Sequence, residues 1–250
     1  MLFRSQPSGV LAVSQPMHAW ISGQILRAWS ERLIEPLLLA AEQHDIGWLD
    51  WETQPTFNPA PGRPHSFREI GAATHAPMWT KGVERALDAW GAHVALLVSR
   101  HGGVIYRRYV DRRRVAAADA AAADRYLAVQ SVKEKSWADQ LGLSDQVLQS
   151  ETMLVAFADT LSLALCGDQK TPLELQAPGR RGGTIAMRLE ERGDRSFEFS
   201  LSPWPFRETA LTVEGEARPL PADGRFPDEA AMRAWLAGQE RVVFRSHLTG

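Results

Sequence analysis

Near Pro172 the hydrophobic pattern of the chain changes its period. Before that point apolar residues such as Ile21, Ile25 and Trp29 recur at the spacing of a helix with one buried face. Beyond it, residues 184–190, 196–202 and 210–214 alternate between apolar and polar and are separated by Gly and Pro, as short strands are. The spacing predicts helices over 17–33, 34–46, 78–90, 92–101, 125–141 and 145–166. Pro36 and Pro77 suit the first turns of two of them, and Gly47, Gly102 and Gly103 read as stops. The alanine-rich residues 115–123 are a helix or a connector, and 54–66 form a Pro-rich surface loop. A helix over 228–237 and a strand over 242–244 close the chain. At its start, residues 2–4 and 10–14 flank Pro7, Ser8 and Gly9, a hairpin pattern over 2–15. The expected fold is therefore mainly α, with a helical domain over 1–170 and a small β-rich appendage over 171–250 that the hairpin can join.

Two hundred and fifty residues, 44% of them hydrophobic, are enough for one large core. A formal net charge of −2 supplies no basic field for nucleic acid and no polybasic anchor. Arg112, Arg113 and Arg114 are the one sharp basic cluster and read as a solvated helix end. With Cys166 as the single cysteine, no internal disulfide can form, and its apolar surroundings suit a buried thiol. There is neither a charged start followed by an apolar stretch nor a window approaching the roughly 18 to 20 apolar residues of a membrane span. A cytoplasmic protein is expected, with a small-molecule substrate, no nucleic-acid partner and no membrane partner; homo-oligomerisation stays open.

Chemistry enters with His44 and Asp45, adjacent at the end of an apolar helix and followed by Gly47. Burying an imidazole and a carboxylate side by side costs several kcal/mol unless something pairs them, and a divalent cation accepts both as ligands. His18 lies one helix earlier, and Asp159 sits inside an apolar helix far along the chain, where an unpaired carboxylate is expensive. A hydrogen bond to Ser162 or to a neighbouring helix is the plain alternative for Asp159, and a helix cap the plain alternative for His44.

The order His18, His44-Asp45, Asp159 resembles that of the HD superfamily of metal-dependent phosphohydrolases, over about residues 15–166. The runs 39–47 and 158–161 look like that family's two characteristic segments. Local features such as Gln15-Pro-x-His18, His44-Asp45-x-Gly47-Trp48, Ser99-Arg-His101 and Pro203-Trp-Pro-Phe206 also resemble an uncharacterised bacterial family. The resemblance implies an HD-domain-like helical bundle and one or two divalent transition-metal ions, with iron, manganese, cobalt or zinc all admissible. His18, His44 and Asp159 would hold one ion and His75 and His101 a second. Asp45 would bridge the pair and act in catalysis. His93 competes with His101 for the second ion; the two are about 12 Å apart along one helix, so only one can serve.

Lys81 and Arg100 are candidate substrate contacts, since cations near such sites meet phosphate oxygens. Trp48 and Trp51 line a pocket or pack in the core. The chain departs from the superfamily in having Trp48 where a lysine often follows the His-Asp-x-Gly run, which counts against a standard nucleotide phosphohydrolase. The leading expectation is a metal-dependent phosphohydrolase acting on a small phosphorylated molecule or nucleotide. A di-iron oxygenase acting on a small polar substrate and a non-catalytic metal- or ligand-binding regulator are the rival readings.

Overall fold

The computed structural model describes residues 1–167, 169–179, 182–192 and 197–250. Strands β1 (Leu2–Gln6) and β2 (Gly9–Val13) form the N-terminal hairpin, with Gly9 at φ +128° where the chain turns. Helix α1 (Gln15–Arg27) follows at once because Ser14 caps it: its hydroxyl accepts from Met17 N, and Pro16 sits in the first turn. Helix α2 (Glu35–Gln43) ends at His44, and a single 3-10 turn over Ile46–Trp48 leads into the short α3 (Leu49–Thr53). A two-strand ribbon, β3 (Phe57–Asn58) and β4 (Arg63–Pro64), sits in the Pro-rich loop.

Four long helices come next: α4 (Ala72–Trp90), α5 (Ala92–Tyr109), α6 (Ala117–Leu141) and α7 (Asp145–Leu165). Several expected boundaries are displaced: α1 ends at Arg27 and not at 33, and α6 begins at Ala117 and not at 125. Pro77 lies inside α4, not at its start, and α5 continues through Gly102 and Gly103 to Tyr109. Those glycines do not stop the helix. A Cβ on Gly102 would lie 2.4 Å from the Tyr126 hydroxyl and 2.6 Å from the Trp79 ring, so this glycine admits a close neighbour.

The largest correction concerns the fold class. A mainly α body with a small appendage is overturned by a seven-stranded mixed sheet in the order β1-β2-β8-β9-β7-β6-β5, which makes this an α/β fold. Its remaining strands are β5 (Leu173–Pro178), β6 (Thr184–Glu191), β7 (Glu198–Ser202), β8 (Ala210–Pro219) and β9 (Val242–Thr249), with α8 (Glu229–Gly238) between the last two. Ser196, expected to open a strand, lies outside the described residues. Neighbours are antiparallel except β7 and β9, and the hairpin joins through β2 and β8 at Leu11–Pro219 and Ala12–Arg218.

The sheet is larger than its alternation suggests because several inward positions are not large apolar residues. On β8 the core face is Val213, Gly215 and Ala217; on β9 it is Phe244, Ser246 and Leu248; on β1, Arg4 points inward. Gly215 makes room for α1, since a Cβ there would be 3.0 Å from Met17 Sδ. Arg4, 2% exposed, donates from Nη1 to Leu165 O (2.5 Å) and Ser246 Oγ (3.0 Å), and from Nη2 to Arg245 O (2.6 Å). It thus ties the C-terminal carbonyls of α7 to the sheet, where a cation also suits the helix dipole. One core runs through both layers, joining Ile21, Ile25, Phe157 and Leu161 to Leu189, Val213 and Leu248. Among the described residues no helix is long and apolar enough to cross a membrane.

Candidate metal centre

Three helices converge on one buried point. His18 comes from the first turn of α1, His44 from the end of α2, Asp45 from the residue after it, and Asp159 from the middle of α7. Gly47 lets the turn beyond Asp45 lie against α4; a Cβ there would stand 2.2 Å from Met78 O. Ser22 donates to Ser162, and Ser162 to the Asp159 backbone carbonyl at 2.8 Å, which locks α1 against α7 one turn away. Ser162 therefore leaves the Asp159 carboxylate to the histidines.

The two imidazoles have their tautomers fixed by the backbone. His18 Nδ1 lies 2.6 Å from Gln15 O, and His44 Nδ1 2.9 Å from Ala41 O. A carbonyl only accepts, so each Nδ1 carries hydrogen and each neutral ring presents an Nε2 lone pair inward. Those Nε2 atoms face each other at 3.2 Å. Asp159 Oδ1 is 3.1 Å from His18 Nε2 and 3.4 Å from His44 Nε2, while Asp45 Oδ2 lies at 3.6 and 3.7 Å from the same two atoms. Two imidazole nitrogens and two carboxylates thus meet where no residue is more than 7% exposed, a set that takes up positive charge as a proton on His44 or as a metal ion. His18, His44 and Asp159 each offer one atom within 4.8 Å of the others, a donor set that could hold a metal ion.

The titration behaviour follows the same demand for positive charge. Burial opposes protonation of His44, but the charges of Asp45 and Asp159 outweigh it and hold its pKa up at about 9. For Asp159, burial works upward, yet hydrogen bonding with His18 and His44 keeps the carboxyl well below its usual range. Burial pushes Asp45 up against the pull of both histidines. Asp45 Oδ1 is buried without a hydrogen-bond partner among the described residues, as is His101 Nδ1. Buried polar atoms left unpaired are rare in folded proteins, and a bound ion is one kind of partner that satisfies them.

The remaining candidates divide. His101 reaches the cluster's edge, its Nε2 3.9 Å from Asp159 Oδ2 and its ring 4.5 Å from that of His44; burial, then the charge of His44, lowers its pKa to about 3. His75 lies in the wall of the cavity that Asp159 also lines, outside the inner cluster. Its Nδ1 is 2.7 Å from the Tyr106 hydroxyl, and its ring packs with Trp48, Trp79 and Tyr106. His93 pairs with Glu151 at 2.8 Å. Lys81 bonds Asp50 at 2.5 Å on the exposed face of α4, while Arg100 donates to Thr152 at 2.8 Å and lines a cavity of about 1080 Å³ that has Asp159 in its wall. Trp48 is buried in the aromatic cluster, with Trp51 packed against it. Tyr106, Ser22 and the cavity residue Arg108 were not singled out by the sequence; only the helical spacing of Arg100, Val104 and Arg108 carried a trace of that wall.

A family model described as "Protein of unknown function (DUF3891)" matches residues 1–222. The chain belongs to this family. The matched segment includes the hairpin, all the candidate ligands and the strands through β8, so in this DUF3891 protein the centre and most of the sheet fall within one family unit. No curated protein and no solved structure matches the chain.

Proposed function

We propose that this DUF3891 protein is a metal-dependent phosphohydrolase acting on a small phosphorylated molecule, with an HD-type site formed by His18, His44, Asp45 and Asp159. The observation that carries the reading is the facing pair of His18 and His44 Nε2 atoms, 3.2 Å apart and both turned toward Asp159 and Asp45. A divalent ion held there lowers the pKa of water and stabilises charge on a phosphoryl group. Asp45 Oδ1, buried and unbonded among the described residues, accepts the proton released by the attacking water. The protein's backbone holds both imidazoles as Nε2 donors through Gln15 O and Ala41 O, so neither ring has to reorient. The adjoining cavity admits the substrate, and Arg100 and Arg108 give it a cationic wall.

The test is elemental analysis of untagged protein by plasma mass spectrometry, with His44→Gln and Asp159→Asn as controls, followed by a phosphoester screen. One manganese, cobalt or zinc per chain, lost in both variants together with phosphoester turnover, is the expected result. Two irons with oxygen uptake would replace hydrolysis by oxidation, with His101 the first candidate for the second ion because it approaches Asp159. Folded wild type that takes up no metal after reconstitution would overturn the reading.

A further inference from the structure

The cavity beside the candidate centre is lined by Thr152, Ala156 and Asp159 from α7 and by Arg100, Val104 and Arg108 from α5. Residues 152, 156 and 159 share one helical face, and the step from Thr152 to Asp159 is about 10 Å along the axis. Arg100 is fixed at the far end of that step, because its Nε donates to Thr152 Oγ1 at 2.8 Å. Its terminal guanidinium nitrogens, and those of Arg108, have no carboxylate partner among the described residues; Arg108 only approaches the Tyr109 ring, at 5.4 Å. The acids of the lining are engaged instead. Glu69 accepts from Ser66 N and Asn58, Asp119 from Ala73 N, and Glu174 from Arg188. Between the two ends the α7 wall is uncharged, with Met153, Ala156 and Phe157.

A phosphoryl group at Asp159 is therefore out of reach of a guanidinium held at Thr152. We infer that the substrate carries a second anionic group, a phosphate or a carboxylate, about 10 Å from the reacting phosphoryl group, and that Arg100 binds it while an uncharged linker lies over Ala156. The reacting end of this inference rests on the phosphohydrolase reading; the Arg100 subsite rests on the cavity alone.

The experiment is isothermal titration of the purified full chain with three probes: 1,8-octanediol bisphosphate, an octyl phosphate ending in a carboxylate, and plain octyl phosphate. Wild type, Arg100→Gln, Arg108→Gln and His44→Gln are compared after thermal melts have established that each is folded. At least one of the two-headed probes is expected to bind about tenfold tighter than octyl phosphate, the size of one charge-assisted contact. Which of those two wins identifies the second group. Arg100→Gln should remove that advantage, bringing the two-headed probes down to the affinity of octyl phosphate, whereas Arg108→Gln, about 12 Å further along α5, should keep it. Equal affinity for all three probes, weakening of all three alike by Arg100→Gln, or no binding of any would overturn the subsite. If the Arg100-dependent advantage persists while His44→Gln changes no affinity, the subsite stands and the phosphohydrolase reading falls.

Discussion

His18 and His44 present converging lone pairs because each ring's other nitrogen is committed to a carbonyl one turn back in its own helix. This local arrangement sets the first prediction. Saturating metal at a hundred times its dissociation constant stabilises a folded protein by about 2.7 kcal/mol, so a chelator should lower the melting temperature of wild type. His44→Gln should melt at the same temperature with and without chelator, as read by circular dichroism. The second prediction concerns Gly47, where an added methyl would stand 2.2 Å from Met78 O. Gly47→Ala must push α4 from the turn that carries Asp45, at a cost of about 1–3 kcal/mol in urea denaturation and with weaker metal retention. The four inner residues were legible in the sequence because an ionisable group inside an apolar helix has few inexpensive fates. The place of His75 was not legible in the same way, because order along the chain says nothing of facing. It shares a helical face with Trp79, and that face turns to Tyr106.

Among the elements, the same residue type was read with the wrong meaning twice. Gly102 and Gly103 look like a helix stop, but α5 runs through them because at Gly102 the space of a side chain is filled by Tyr126 and Trp79. Gly102→Ala, which adds a good helix former, should therefore destabilise the protein by about 1–3 kcal/mol where helix propensity alone would give a gain of up to about 1 kcal/mol; the sign of the shift in urea midpoint decides. Strands were underestimated for a related reason. The inward faces of β1, β8 and β9 contain Arg4, Gly215 and Ser246, so their alternation breaks although their pairing does not. Arg4 is the most telling of these. Burial lowers its pKa to about 10, which still leaves it charged at neutral pH, and from β1 its guanidinium joins α7 to β9. Arg4→Met keeps much of the volume and removes those bonds. It should cost about 3 kcal/mol, the scale of hydrogen bonds made by a buried charged group, and the loss should appear as an earlier midpoint in guanidinium unfolding.

At the scale of the molecule, the expected division at residue 170 meets a sheet and a core that both cross it. Strands β1 and β2 lie before that point and are hydrogen-bonded to β8, which lies after it. Val13, Ile21, Phe157 and Leu161 share one buried cluster with Leu175, Leu189, Leu201, Val213 and Leu248. A fragment ending at 170 would keep every candidate ligand yet expose the sheet-facing sides of α1 and α7. It would also leave β2 as an uncovered edge, the kind of surface that invites aggregation. The metal centre depends on the same contact, because Ser22 and Ser162 set α1 against α7 at the point where both helices also rest on the sheet. Residues 1–170 expressed alone should therefore neither retain metal nor unfold cooperatively, and should bind a hydrophobic dye that the full chain excludes. In the full chain, helix content followed in the far ultraviolet and tryptophan fluorescence should report a single urea transition, because Trp29 and Phe157 belong to the core that the sheet completes. Two separated transitions would mean that the helices hold the centre without the sheet. The single transition would place the origin of the site in the whole α/β unit, with the sheet fixing α1 and α7 so that His18 and Asp159 stay 3.1 Å apart.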